Sequence, residues 1–196
     1  MTLRLSGGRR LQSPPGSTAR PTAARVRLAV MNLLAHRVPG SRWLDLCCGS
    51  GVMACEALQR GAAEVVAVER DRRIAAVARA NLELVRQGRS AAPEAPPRCR
   101  VDGDEVLRWL ARADPSSFDL IYVDPPYAAG LYVPIAAAVL KGGWLAPEGI
   151  LVWECASDGV PEVPPGWRCR DQRRYGGSTV VLLEIAPALP ADTWPT

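Results

Sequence analysis

The stretch Trp43-Leu44-Asp45-Leu46-Cys47-Cys48-Gly49-Ser50-Gly51 decides the fold of this chain. Its first half, Trp43–Cys47, reads as a short apolar strand interrupted by one carboxylate. Its second half is a glycine turn that opens a helix over residues 51–60. Glycines at 49 and 51 let the backbone turn tightly and approach a ligand with no Cβ in the way. Strand, glycine turn and helix in direct succession are the first half of a βαβ unit.

The same alternation continues outward. Further strand-like runs are Val65–Glu69, Cys99–Asp102, Phe118–Asp124 and Ile150–Glu154, with helical stretches at about 71–87, 104–112 and 133–141 between them. Two last runs, Trp167–Arg173 and Thr179–Ile185, are joined by a turn at Tyr175-Gly176-Gly177 with no helix between, so they should pair antiparallel. The expected fold class is therefore α/β: a Rossmann-like, doubly wound, mostly parallel seven-stranded sheet closed by a C-terminal antiparallel hairpin. Ahead of it, residues 1–20 read as a short extended or hairpin-like arm with a loose loop. Thr22–His36 reads as an amphipathic helix with Val26, Ala29, Val30, Leu33 and Leu34 on its apolar stripe, ended by Pro39-Gly40. Gly88–Pro97 reads as a surface loop. The expected divisions are a basic arm and helix at 1–40, the main domain at 41–187 and a tail at 188–196.

At 196 residues, 48% hydrophobic and 22% charged, the chain has the composition of an ordinary globular protein. No apolar stretch is long enough to cross a bilayer, and no apolar segment follows the early arginines as in a signal peptide, so the expected compartment is the cytoplasm. The six cysteines form no Cys-x-x-Cys pair, and with a single histidine they predict free, mostly buried thiols and no metal site. Net charge is only +4, but its placement is uneven. The first 44 residues hold eight arginines and no acid, which leaves the remainder net negative by four. Such segregation is the footprint of a polyanion binder, and a bias for arginine (23 against one lysine) does not explain the missing acids. Arg9, Arg10, Arg20, Arg25 and Arg27 are the candidate nucleic-acid contacts.

Glu69 closes the second strand eighteen residues past Gly51, where a carboxylate can accept from both ribose hydroxyls of a nucleoside. The third strand ends in Asp102-Gly103-Asp104. Gly49-x-Gly51-x-x-Ala54 also fits the loose dinucleotide fingerprint, so an NAD-dependent oxidoreductase is the rival reading. Asp45 favours S-adenosylmethionine, because class I methyltransferases use an acid at this place to orient the methionine moiety. Such enzymes also place an acid or amide at the third strand's end, near the adenine amino group. The candidate cofactor contacts are Asp45, Cys47, Gly49, Gly51, Glu69, Asp102 and Asp104.

Asp124-Pro125-Pro126-Tyr127 steps straight off the apolar run Phe118–Val123. Prolines stop a strand ladder, so these residues form a rigid turn at a strand end. A carboxylate, a fixed carbonyl and an aromatic ring there can hold a flat amino-bearing group. An exocyclic amine is a poor nucleophile because its lone pair is delocalised into the ring. Asp124 and the Pro125 carbonyl can accept its hydrogens, with Tyr127 stacked on the base, so these three are the candidate catalytic residues. Adenine N6 and guanine N2 need the same turn.

Asp45–Gly51, Glu69, Asp124–Tyr127, Arg20-Pro21-Thr22 and Arg25-Val26-Arg27 together resemble the RsmD-type bacterial rRNA guanine-N2 methyltransferases. Leu3–Leu11 and Gly143-Trp144-Leu145 add to the likeness, which runs in order over roughly residues 3–185. Cys47-Cys48 stands where this family more usually has Phe-Ala, and the arm is shorter than usual. The resemblance implies S-adenosyl-L-methionine as cofactor and methylation of a guanine N2 in 16S rRNA or a 30S assembly particle. It also implies an arm and first helix that grip RNA, and a monomer. An adenine-N6 nucleic-acid methyltransferase is the neighbouring alternative.

Overall fold

The computed structural model describes residues 3–14, 24–88, 96–112 and 117–187. Seven strands form one sheet in the order β3-β2-β1-β4-β5-β7-β6. The strands are β1 (Arg42–Leu46), β2 (Glu64–Val68), β3 (Arg98–Asp102), β4 (Phe118–Val123), β5 (Leu145–Ala156), β6 (Trp167–Tyr175) and β7 (Ser178–Ile185). β1 through β5 pair parallel, and β7 inserts antiparallel between β5 and β6. This is the expected α/β sheet with its closing hairpin.

Alternating side chains feed two cores. Trp43, Val65, Ala67, Leu120, Tyr122 and Val152 face α1 (Ala24–Leu33), α2 (Val52–Gln59) and α3 (Arg72–Gln87). Leu44, Leu46, Val66, Ile121, Val123 and Trp153 face α4 (Val106–Arg112) and α5 (Tyr132–Lys141). A strand buried on both faces reads as continuously apolar, which is why β1, β2 and β4 look that way in sequence. α3 shows how local chemistry sets a boundary: Asp71 caps it, its carboxylate accepting from Arg73 N at 2.8 Å and Ile74 N at 3.1 Å. Such a cap contributes about 1 kcal/mol. Ala75, Ala78, Leu82 and Val85 then bury one stripe.

One strand starts much earlier than expected. β5 starts at Leu145 rather than Ile150, because Leu145 pairs with Phe118 before the ladder resumes at Leu120 and Ile150. Pro147 and Gly149 occupy the bulge between, and neither reads as strand. The arm is a small hairpin packed into the main core. Leu5 N donates to Arg9 O and Leu11 N to Leu3 O, both at 2.9 Å, around a turn at Gly7-Gly8. Leu3, Leu5 and Leu11 are buried in the same cluster as α1–α3. No helix among the described residues is long and apolar enough to cross a membrane.

Candidate active site

Parallel register aligns the strand ends. Leu46 sits beside Val68 and Val123, and Val68 beside Asp102. Cys47, Glu69 and Asp124, each one residue further on, therefore leave the sheet at one level, with Asp102 just behind. β1 lies between β2 and β4, the place where the strand order reverses and where such sheets bind ligands.

The glycine loop is drawn back onto β2. Cys48 N donates to Val68 O at 2.9 Å and Gly49 N to Glu69 Oε2 at 3.0 Å, while Glu69 Oε1 accepts from Asp71 N at 2.9 Å. The loop has φ of 65° at Cys47, 53° at Gly49 and 74° at Gly51. Cys47 is the one non-glycine at positive φ among the described residues, a strained conformation typical of functional loops. A Cβ on Gly51 would come within 3.1 Å of Ala78 Cβ, so that glycine permits α2 and α3 to approach. A Cβ on Gly49 would meet nothing within 4 Å, so this glycine faces open space.

Asp45 lies behind this loop, 1% exposed. Its Oδ2 accepts from Ala54 N at 3.0 Å, an otherwise orphan amide in the first turn of α2. Burial pushes its carboxyl well up, and the charges of Asp124 and Glu69 push the same way; the Ala54 hydrogen bond only partly offsets them. Burial and these acids also raise the thiols: Cys47 to about 12, with Cys48 and Cys55 pushed up as well. The loop cysteines are therefore protonated and poor nucleophiles. All six cysteines are free, and no group of three metal-ligating side chains occurs among the described residues.

The acceptor turn begins where β4 stops. Asp124 is half-buried and Pro125 buried. Tyr127–Ala129 form a short 3-10 turn in which Ala129 N donates to Pro126 O at 2.8 Å. The Tyr127 hydroxyl lies 3.2 Å from Ser178 Oγ, which ties the ring to the start of β7. Glu154 follows Trp153, the partner of Val123, and so stands beside Asp124. It is 3% exposed; Tyr122 donates its hydroxyl proton to Glu154 Oε2, and Tyr132 donates to the Glu154 carbonyl. The sequence reading missed Glu154 as a site residue, although it closes an apolar run as Glu69 and Asp124 do.

A second missed residue is Asn81, fully buried on α3. Its Oδ1 accepts from Gln12 N at 2.8 Å, and its Nδ2 donates to Gln12 O and Ser50 O, each at 3.0 Å. One amide thus joins the arm to the glycine loop. A polar residue within an otherwise apolar helical stripe was the available signal.

Other candidates have their side chains engaged elsewhere. Asp102 Oδ2 accepts from Trp109 Nε1 at 2.8 Å and pairs with Arg100 at 3.0 Å. Asp104 pairs with Arg108 and Arg112. Desolvation acts to raise its carboxyl, but those guanidinium hydrogen bonds outweigh it and hold it below the ordinary range. Arg27 is buried: it donates to Arg4 O and lies 3.6 Å from Glu56, itself 1% exposed. The same Glu56 accepts from Ser6 N at 2.8 Å and Ser6 Oγ at 2.6 Å. Arg9 donates to Leu84 O and Gly88 O at the end of α3. Arg27 and Arg9 therefore hold the arm to the protein, whereas Arg10 and Arg25 are exposed. Arg20 lies outside the described residues.

Two open surface clefts sit at the opposite ends of the strands, one beside Arg37, Asp119 and Glu148, the other beside Glu64, Pro97 and Arg98. Neither touches the carboxyl-end acids.

The family described as conserved hypothetical protein 95 matches residues 5–184. Ribosomal RNA small subunit methyltransferase D of Escherichia coli (strain K12) is 31% identical over 170 residues, 86% of this chain and 81% of that protein. The protein of the same name from Haemophilus influenzae is 26% identical over 86% of this chain and 84% of its own length. Among solved structures, the Escherichia coli protein yhhF superposes with a TM-score of 0.78 at 28% identity, covering 94% of this chain and 98% of that one. A hypothetical protein from Thermus thermophilus gives 0.74 at 27% identity, covering 93% and 99%.

Proposed function

The chain belongs to the ribosomal RNA small subunit methyltransferase D family, and from that premise we propose that it methylates the exocyclic N2 amine of a guanine in 16S rRNA, using S-adenosyl-L-methionine. The observation that carries this reading is the meeting of two half-sites at the switch point. Asp45 and Glu69 stand on the β1–β2 side, and the Asp124–Tyr127 turn stands on the β4 side.

The residues fit the cofactor by charge and by space. Asp45 is a carboxyl pushed up by burial first and by the neighbouring acids Asp124 and Glu69 after it, an environment that a cationic ligand relieves. Glu69 accepts one backbone N–H on each oxygen and keeps acceptor capacity for a ribose diol. Gly49 opens onto empty space. In this assignment Asp45 holds the methionine ammonium, Glu69 the ribose, and Asp102 the adenine edge through Oδ1, its Oδ2 being taken by Trp109 and Arg100, with Cys47, Gly49 and Gly51 lining the loop. The bound cofactor supplies an electrophilic methyl group on a sulfonium. Asp104, committed to Arg108 and Arg112, shapes the start of α4 instead.

Asp124 and the Pro125 carbonyl accept the two amine hydrogens and orient the nitrogen lone pair toward the methyl group. Tyr127 offers its ring face to the base, its hydroxyl held near Ser178. Asp124 need not be a strong base, since the amine becomes acidic only as it gains the methyl group. Positioning and exclusion of water supply most of the rate. In this reading the protein works in the cytoplasm as a monomer on 16S rRNA or a 30S assembly particle.

The test is incubation of the purified chain with unmethylated 16S rRNA and with 30S particles, followed by mass-spectrometric mapping of nucleosides. A single new N2-methylguanosine is expected. N6-methyladenosine would move the assignment to the neighbouring class, and no transfer to either substrate despite cofactor binding would refute it.

A further inference from the structure

Resting on that rRNA reading, we propose that the outer edge strand β6 is an RNA-backbone-binding surface that extends the acceptor side of the site. β6 is the last strand of the sheet and carries Arg168, Arg170, Arg173 and Arg174 within nine residues. The side chains of Arg168, Arg170 and Arg173 are 61%, 49% and 54% exposed. From Arg168 to Arg174 the strand spans about 20 Å, a basic rail rather than a point.

Register places one end of this rail at the reacting group. Tyr175 pairs with Ser178, and Ser178 pairs with Ala156 at the carboxyl end of β5. Ser178 is the residue whose Oγ lies 3.2 Å from the Tyr127 hydroxyl. Arg173 and Arg174 therefore stand at the rim beside the proposed base platform, two strands out from the end of β5. An RNA strand delivering a base to Tyr127 has its backbone within reach of them.

The arginines are only partly neutralised. Glu184 is shared by Arg168 and Arg170, and Asp171 pairs with Arg173. Arg174 donates to the Gly176 carbonyl and has no ion pair among the described residues. Exposed pairs of this kind contribute little and are screened by salt, so phosphates can displace them. The surface also answers a deficit: Arg9 and Arg27, expected to grip RNA, are committed to the protein's own carbonyls and to Glu56. Arg173 pairs with Val180, which shares its core with Val26 and Val30 of α1. Arg173 therefore borders the face that α1 covers, where Arg25 is exposed, and Arg174, opposite Thr179, extends the rail over the other face of the edge strand. Charged edges also deter strand-to-strand aggregation, a role that requires no RNA.

The test uses the full chain and an unmethylated 16S rRNA transcript as probe. Two variants, Arg173→Gln/Arg174→Gln and the same with Arg168→Gln/Arg170→Gln added, are compared by fluorescence anisotropy across a salt series. Four lost phosphate contacts should weaken affinity at least tenfold and lower the slope of log K against log salt by about 3. The double variant should lie between. KM for the transcript should rise more than kcat falls, and calorimetric S-adenosylmethionine affinity should hold. Wild-type affinity and slope in both variants overturn the proposal, including the case where the variants merely aggregate more readily. If the wild type binds the transcript and the variants do not, yet no methyl group is transferred, the surface stands while the activity assignment falls.

Discussion

Replacing Asp45 by Asn should make this protein more stable and less able to bind its cofactor. Asp45 is 1% exposed and accepts one backbone hydrogen bond, from Ala54 N at 3.0 Å. An Asn carbonyl can keep that bond while removing a buried charge that faces Asp124 and Glu69. The sign follows from linkage. Burial first, then the two acids, raise the folded-state pKa above the unfolded value near 3.9. The native state therefore holds its proton longer than the unfolded chain. Asp45 costs nothing below the unfolded pKa, and stability is lost as pH rises through the folded one. The Asn variant should match the wild type near pH 3 and exceed it at pH 8. A gain of about 1–2 kcal/mol is typical of such relief, equal to about 2–8 °C in Tm for a domain of this size. Cofactor affinity should move the other way. A charge-assisted hydrogen bond to an ammonium is worth about 1.5–3 kcal/mol, so the Kd for S-adenosylmethionine should rise about ten- to a hundredfold. Calorimetry across pH 3–8, with and without cofactor, reads both effects. An Asn variant less stable than the wild type at pH 8, or an advantage that grows toward acid, would refute the buried-charge argument.

Four further substitutions probe separate links. Asp124→Ala should abolish methyl transfer in a tritium assay while leaving S-adenosylmethionine affinity within about threefold, because a truncated acceptor leaves the donor side intact; a fully active variant would remove Asp124 from the chemistry. Glu56→Ala strips the buried Arg27 of its carboxylate and Ser6 of its acceptor, and should cost about 3–5 kcal/mol in urea unfolding; a loss under 1 kcal/mol would show that the arm is not anchored there. Gly51→Ala should destabilise by about 1–3 kcal/mol, since its φ of 74° and the Ala78 contact at 3.1 Å both resist a methyl group. Gly49→Ala shares the left-handed backbone strain at a φ of 53° but has open space around it, so it should lose less stability than Gly51→Ala while weakening cofactor Kd, and equal stability losses for the two would contradict the crowding argument.

The alternation of strands and helices, the glycine turn and the closing hairpin were all legible in the chain, because each is set by local pattern and by residues with few conformational options. Asp45, Glu69 and Asp124 were legible for a related reason. A carboxylate at the end of an apolar run stands out, and a parallel sheet gathers its strand ends on one edge whatever the loops do. Glu154, near the end of β5, escaped notice although it too follows an apolar run. Only the register of Trp153 with Val123 brings Glu154 beside Asp124. Arginines were the least legible. Composition marks a basic segment, but only packing decides whether a guanidinium meets solvent or a buried carboxylate. Arg27 falls on an inward-turned side of α1 and finds Glu56 in the core, far along the chain; Arg9 spans to the end of α3. Asn81 joins arm and glycine loop through partners 69 and 31 residues distant. By itself, then, the sequence determined the fold class and the positions of Asp45 within β1 and of Glu69 and Asp124 just past β2 and β4, since periodicity and turn chemistry act between near neighbours. Which arginines remain available to RNA, and which polar side chains brace the site, was decided by tertiary structure, because burial and charge pairing depend on residues that only the folded chain brings together.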